Sequence, residues 1–236
     1  MKGISRYILT MLVPFLCLSC TDEIPMPAGC GAAGGVDRGK TVRVSLPFSV
    51  SGGIRSDIVT RAAGTEDSRL GRIMLFMYEN KGKDQSQNKL LGYRIFLNSN
   101  EGTVNNEEDG FWTGEGNEGR LNFYAYPGDV YIYLLGNVTG SFLKYFPGMQ
   151  SEEELKGLTD QEKFFQAVRP TWTGNFNMTD GYLPLAGSVN NSTAACRIGE
   201  DGTVTYMDDA TGTETRIDSI NNPFLLKRLM AKISFT

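Results

Sequence analysis

The sequence contains no histidine among its 236 residues. Histidine is the side chain that most often serves as a general base near neutral pH and as a ligand of transition metals. Without it, neither a Ser-His nor a Cys-His nucleophile pair can form. No P-loop, Gly-x-Ser-x-Gly element or paired acid/base motif stands in its place. We therefore predict that the chain is not an enzyme and that it needs no cofactor and no metal.

Runs of basic residues are also lacking. The 23 Lys and Arg residues are outnumbered by 27 Asp and Glu residues, which gives a formal net charge of -4. Because nucleic-acid binding depends on clustered positive charge, this composition argues against a nucleic-acid partner. What the chain does have is 28 glycines and many short apolar runs. These features predict an all-β fold with numerous turns and one short helical region.

Cysteine is scarce, and two of the four cysteines fall in the first 20 residues. Residues 1–20 have the form of a secretory signal peptide: Lys2 and Arg6 precede an apolar run over residues 7–18. That run is shorter than the roughly 20 residues that span a bilayer as a helix. Ser19 followed by Cys20 resembles the lipobox of bacterial lipoproteins, which predicts lipidation at Cys20. An ordinary signal peptide with an incidental cysteine is the alternative.

The residues after Cys20 are acidic and then rich in Gly, Ala and Pro. The acidic start resembles a surface-display signal, so we expect the chain at the outer membrane and cell surface. Residues 21–40 cannot bury a core and are interpreted as a flexible tether. Cys30 lies in this tether, and for that reason we expect no structural disulfide between Cys30 and Cys196.

Residues 41–62 begin with strict alternation of apolar and polar side chains. The apolar members are Val42, Val44, Leu46, Phe48 and Val50. Such alternation predicts a strand that presents five side chains to one core. Pro47 cannot donate a ladder hydrogen bond, which favours an edge position. The stretch ends in the basic sequence Thr60-Arg61-Ala62.

Downstream, residues 72–78 are apolar on both faces, which predicts a strand buried between two layers. Further strands are expected at 90–97, 120–126 and 129–137. Ser151 and Glu154 form a capping-box pattern, so a helical region is predicted from there to about residue 168.

Together these stretches resemble the fimbrillin family, the pilus subunits of Bacteroidota. The resemblance rests on the signal segment, the alternating strand, the Thr-Arg-Ala site, the Ile-x-Leu-Phe-x-Tyr strand at 73–78, and three later stretches at 127–137, 183–187 and 226–233. It implies a transthyretin-like β-sandwich of about seven strands over residues 62–236. A second sandwich would normally follow, and we expect it to be absent because the sequence stops there.

The resemblance also implies an assembly route. Residues 41–61 would be a propeptide strand and cleavage loop, cut between Arg61 and Ala62 by an arginine-specific protease. Loss of the strand at 42–50 would open a groove that another fimbrial subunit fills with a strand of its own. The outer membrane, through the lipid anchor, and other fimbrial subunits are the implied partners.

Two alternatives remain open at this point. Arg55, Arg69 and Arg72 are competing cleavage sites, with Arg72 disfavoured because it abuts a buried strand. The chain could instead be an uncleaved surface lipoprotein that binds glycans through exposed aromatics, of which Trp112 and Trp172 are the candidates. For Trp112, packing on the core of its own domain is a competing interpretation.

Overall fold

The computed structural model describes residues 39–50, 70–98, 109–114, 118–138, 143, 151–168, 185–188, 195–208 and 211–228. Eleven strands lie in this part of the chain: β1 (Val42–Val50), β2 (Arg72–Glu79), β3 (Leu90–Leu97), β4 (Asp109–Phe111), β5 (Glu118–Ala125), β6 (Gly128–Gly136), β7 (Leu185–Ser188), β8 (Ala195–Ile198), β9 (Val204–Asp208), β10 (Thr213–Arg216) and β11 (Phe224–Arg228). Two short helices, α1 (Glu152–Lys156) and α2 (Gln161–Val168), accompany them. The predicted all-β class with a little helix is confirmed, although the strands exceed the seven expected. No helix in the described ranges is long and apolar enough to cross a membrane.

The strands are hydrogen-bonded in the order β10-β9-β8-β6-β7-β11-β1-β5. Strand β6 is the branch point of the sheet. It pairs with β8 along its first half and with β7 near its end, and it pairs along nearly its whole length with β2, which leads on to β3 and β4. This branching allows the sheet to curl so that one face of β2 and β6 shares a core with β1, β5 and β11.

Strand β2 separates two apolar cores. Ile73, Leu75 and Met77 face the larger core, which the curled sheet encloses. The alternate residues Met74, Phe76 and Tyr78 face a second core, which also contains Phe164 of α2 and Leu155 of α1. Successive side chains of a strand point to opposite faces, so a strand buried on both faces must be apolar at every position. The prediction for residues 72–78 is confirmed.

The helical layer is fixed to the sheet by polar contacts. The hydroxyl of Ser151 accepts a 3.2 Å hydrogen bond from the N–H of Glu154, which is the capping interaction that the sequence predicts. At the start of α2, Asn88 donates to the side-chain oxygen of Gln161 at 2.6 Å, and Gln161 donates to the hydroxyl of Tyr133. Because Asn88 and Gln161 are fully buried, these bonds satisfy groups that water cannot reach.

Strand β1 does not lie at an edge, so the edge position predicted from Pro47 is wrong. It pairs antiparallel with β5 from Val42 to Ser49, and it pairs in parallel with β11 from Phe48 to Val50. The pairing with β11 begins directly after Pro47. At the proline itself β1 therefore has a described strand partner on one side only, and the missing donor is tolerated there.

Candidate functional site

The site of interest is the slot that β1 fills. Val44, Leu46, Phe48 and Val50 are buried in the larger core, and Val42 is partly buried against it. The expectation that one face of this strand supplies five apolar side chains is therefore met. At about 1.5–3 kcal/mol for each buried side chain, the strand contributes on the order of 10 kcal/mol of transfer free energy, as an upper bound. That is comparable to the whole stability of a typical domain.

Two strands flank the slot, one antiparallel and one parallel to β1. Strand β5 is antiparallel to β1 and places Phe123 opposite Val44 and Leu121 opposite Leu46. Strand β11 is parallel to β1 and places Phe224 opposite Phe48. If β1 were absent, both ladders would lose their partner, and the apolar side chains between them would face water. Exposed ladders of this kind are templates for the addition of another strand.

A turn between β8 and β9 contacts β1 near its beginning. Gly202 has φ +78, and a methyl group built on it would lie 2.0 Å from the carbonyl oxygen of Arg43. Only glycine combines this left-handed backbone with so close an approach. Nothing local in the sequence predicts that this turn rests on β1.

Trp112 belongs to the slot and is not an exposed ligand platform. It is 5% exposed, and its ring meets that of Phe48 edge to face, with centroids 5.9 Å apart and an interplanar angle of 86°. The neighbouring residue Thr113 exchanges two backbone hydrogen bonds with Arg120, at 2.7 and 3.1 Å, which fixes this segment beside β5. Of the two interpretations of Trp112, core packing is the one that the structure supports. Trp172, the other candidate for glycan stacking, lies outside the described residues.

The predicted processing and lipidation sites also lie outside the described residues. This applies to Cys20, Arg61 and Ala62, and to the competing sites Arg55 and Arg69.

Arg72, by contrast, is described, and it is the first residue of β2. Its guanidinium forms a bidentate ion pair with Glu152 of α1, with N–O distances of 2.7 and 2.6 Å. Its carbonyl accepts a 2.8 Å hydrogen bond from Asn137.

Electrostatics at Glu152 favour this ion pair. Desolvation at its half-buried position tends to raise the pKa of Glu152. The hydrogen bonds and positive charges of Arg72 and Lys156 outweigh that effect, so the pKa lies below the usual range. The carboxylate is therefore charged at neutral pH and holds Arg72 in place.

Within the described ranges, no group of three or more Cys, Asp or Glu side chains is arranged to hold a metal ion. Cys196 is a free thiol in the larger core, and burial raises the pKa of that thiol.

Among solved structures, a weak structural similarity is found. No protein-family model and no curated protein matches the sequence. A crystal structure from Parabacteroides distasonis, described as a "putative cell adhesion protein", aligns with a TM-score of 0.38 at 11% sequence identity. The alignment covers 80% of this chain and 40% of that one, so this chain spans less than half the length of that protein. A similarity of this size does not assign the chain to a family.

Proposed function

We propose that this chain is a structural or accessory subunit of a surface pilus that supports cell adhesion. In this proposal it is exported as a lipoprotein anchored through Cys20, is cut between Arg61 and Ala62 by an arginine-specific protease, and joins other fimbrial subunits by strand exchange. The observation that supports it best is the position of β1. The strand is flanked by β5 and β11, and its apolar face completes the larger core. No catalytic activity, cofactor or metal is assigned.

The contacts of β1 in the slot determine what cleavage alone could achieve. Cutting after Arg61 would sever the covalent link between β1 and the rest of the domain, but it would leave the ladders and apolar contacts of β1 intact. Because those contacts contribute up to about 10 kcal/mol, we expect the cut fragment to stay bound. It would leave only when another strand supplies equivalent contacts, which makes the exchange close to neutral in free energy.

The first experiment follows the cut fragment. Purified full-length chain is treated with an arginine-specific protease and examined by amino-terminal sequencing, native gel filtration and denaturing gels. We expect a new terminus at Ala62 and a fragment that co-elutes with the domain until denaturant is added. The variant Arg61→Ala should keep residues 42–50 covalently attached under the same conditions, unless Arg55 or Arg69 is used instead. Absence of cleavage after Arg61 in the native chain would contradict the proposed processing.

A second measurement examines the protein in pili taken from the cell surface. Pili sheared from the cell surface would be sequenced from their amino termini. Subunits that begin at Ala62 are expected in the polymer. If every copy retained the lipidated start at Cys20, strand removal would not be part of assembly.

A further inference from the structure

Phe48 occupies a position on β1 that differs from its neighbours. It is the first residue of β1 that has a strand partner on both sides, with Gly119 of β5 opposite it on one side and Phe224 of β11 on the other. Its side chain is 1% exposed, and the ring of Trp112 lies against it edge to face. The largest side chain of the strand thus sits where the slot is most completely enclosed.

Gly119 provides the room for this ring. At the two preceding positions of the same face, β5 places large side chains opposite β1: Phe123 lies opposite Val44, and Leu121 lies opposite Leu46. At Phe48 the opposite residue is glycine, and a methyl group built there would lie 2.7 Å from the carbonyl oxygen of Thr113 and 3.0 Å from ring atoms Cε1 and Cζ of Phe48. A side chain at residue 119 would compete with the aromatic ring for the same space.

The pairing of Phe48 with Gly119 helps to fix the register of β1 against β5, which alternation alone does not determine. A slip of one residue turns the apolar face of a strand toward solvent and is strongly disfavoured. A slip of two residues keeps the apolar face inward, so alternation alone does not prevent it. A slip of two residues toward the carboxyl end of β5 would, however, bring the ring of Phe48 opposite Leu121, where a side chain already fills the space that Gly119 leaves free.

We infer that Gly119, Trp112 and Phe224 form an aromatic subsite that sets the register of whichever strand occupies the slot. In the intact chain the occupant is β1, and its ring is Phe48. Where the occupant is a strand from another subunit, an extension that rests on the proposed function, the partner is an extended segment with alternating apolar residues and an aromatic side chain at the position equivalent to Phe48. It runs antiparallel to β5, as β1 does.

The register role is tested first in the intact chain, where strand exchange is not needed. The double variant Leu46→Phe/Phe48→Leu keeps the composition and the alternation of β1 but moves the ring by two residues. We expect its urea midpoint to fall by roughly 1 M, as misplaced volume in a packed core does. The control Arg43→Ser/Ser45→Arg exchanges two outward-facing residues of the same strand and should leave the midpoint unchanged. A swapped chain as stable as the control would overturn the subsite.

The second test measures a strand in trans. The chain is cut after Arg61, freed of its fragment in denaturant, and refolded with a fluorescent peptide of residues 41–50 or with the peptide carrying the same Leu/Phe swap. We expect the natural peptide to bind at least roughly tenfold more tightly. Equal binding of the two peptides would overturn the subsite. Failure of the natural peptide to bind would overturn the strand-exchange function, while the result from the intact chain would still decide the subsite.

Discussion

Glu152→Gln should make the bond after Arg72 susceptible to an arginine-specific protease. In the native chain, Arg72 is held at three points: its guanidinium by Glu152, its carbonyl by Asn137, and its backbone by pairing with β3 at Leu97. A trypsin-like protease needs the arginine side chain free and the surrounding backbone extended and accessible. The substitution removes the charged partner of the side chain but keeps the size of the residue and its helical propensity.

The magnitude follows from the geometry of the ion pair. Arg72 and Glu152 are 20% and 25% exposed, so the pair is intermediate between a surface pair and a buried one. Exposed pairs contribute about 0–1 kcal/mol, and hydrogen bonds to charged groups contribute about 1.5–3 kcal/mol. Because glutamine can still form one of the two hydrogen bonds, we expect a loss of about 1–2 kcal/mol. The population in which this end of β2 is open should then rise roughly 5- to 30-fold.

Cleavage after Arg72 reports that population when the segment recloses faster than it is cut. The rate of appearance of a fragment beginning at Ile73 would be measured by mass spectrometry at several protease concentrations. Glu153→Gln is the matched control, because Glu153 shares Lys156 with Glu152 but no contact with Arg72 is described for it. An increase that is equal in both variants, or absent in Glu152→Gln, would refute the role given to this ion pair.

Three further outcomes are expected. Trp112→Ala should lower the free energy of unfolding by about 3–5 kcal/mol in urea titrations, because it empties a buried space beside Phe48; a change within error would contradict its place in the core. Desolvation tends to raise the pKa of Glu152 and of Asp160, but hydrogen bonds and cations lower each pKa overall. Both groups therefore bind fewer protons when folded, so their stabilisation is present above about pH 4.5 and is lost as the pH falls further, which urea midpoints at pH 7 and pH 3 would measure. Cys196 should resist a thiol reagent in native buffer and react in denaturant, because it is buried and burial raises its pKa. Rapid labelling of Cys196 itself in native buffer would contradict this.

Several elements could be predicted because their signals are local. The alternation in β1 and the continuous apolar run in β2 each report which faces of a strand are buried, and the structure places both strands accordingly. The cap at Ser151 is likewise encoded within four residues. In each case the side chains that carry the information lie within the element that they define.

The position of β1 in the sheet could not be predicted in the same way. Pro47 indicates that one ladder bond is missing, and an edge strand is the simplest explanation of that. In the structure, β11 comes from more than 170 residues downstream and starts its pairing one residue after the proline. The contacts made at Gly119 and Gly202 could not be predicted for a similar reason. Glycine is typical of a close approach, but the sequence does not say what approaches it. At Gly119 it is the backbone of Thr113 and the ring of Phe48, and at Gly202 it is the backbone of Arg43.

Because β1 lies between β5 and β11, its removal would disturb the sheet more than the loss of an edge strand. Losing an edge strand leaves one unpaired ladder, and the remaining sheet can persist with a new edge. Losing β1 would leave β5 and β11 facing each other across an empty slot, with the interior face of β2 and β6 uncovered. Vacating the slot would therefore cost far more free energy than opening an edge. Both ladders would lose their hydrogen-bond partners, and the apolar side chains of β2 and β6 would lose their contacts with β1. Proteolysis alone would therefore not vacate the slot. In the proposed assembly, a strand of matching pattern would have to enter as β1 leaves, so that cleavage permits the exchange and the incoming strand replaces the contacts that are lost.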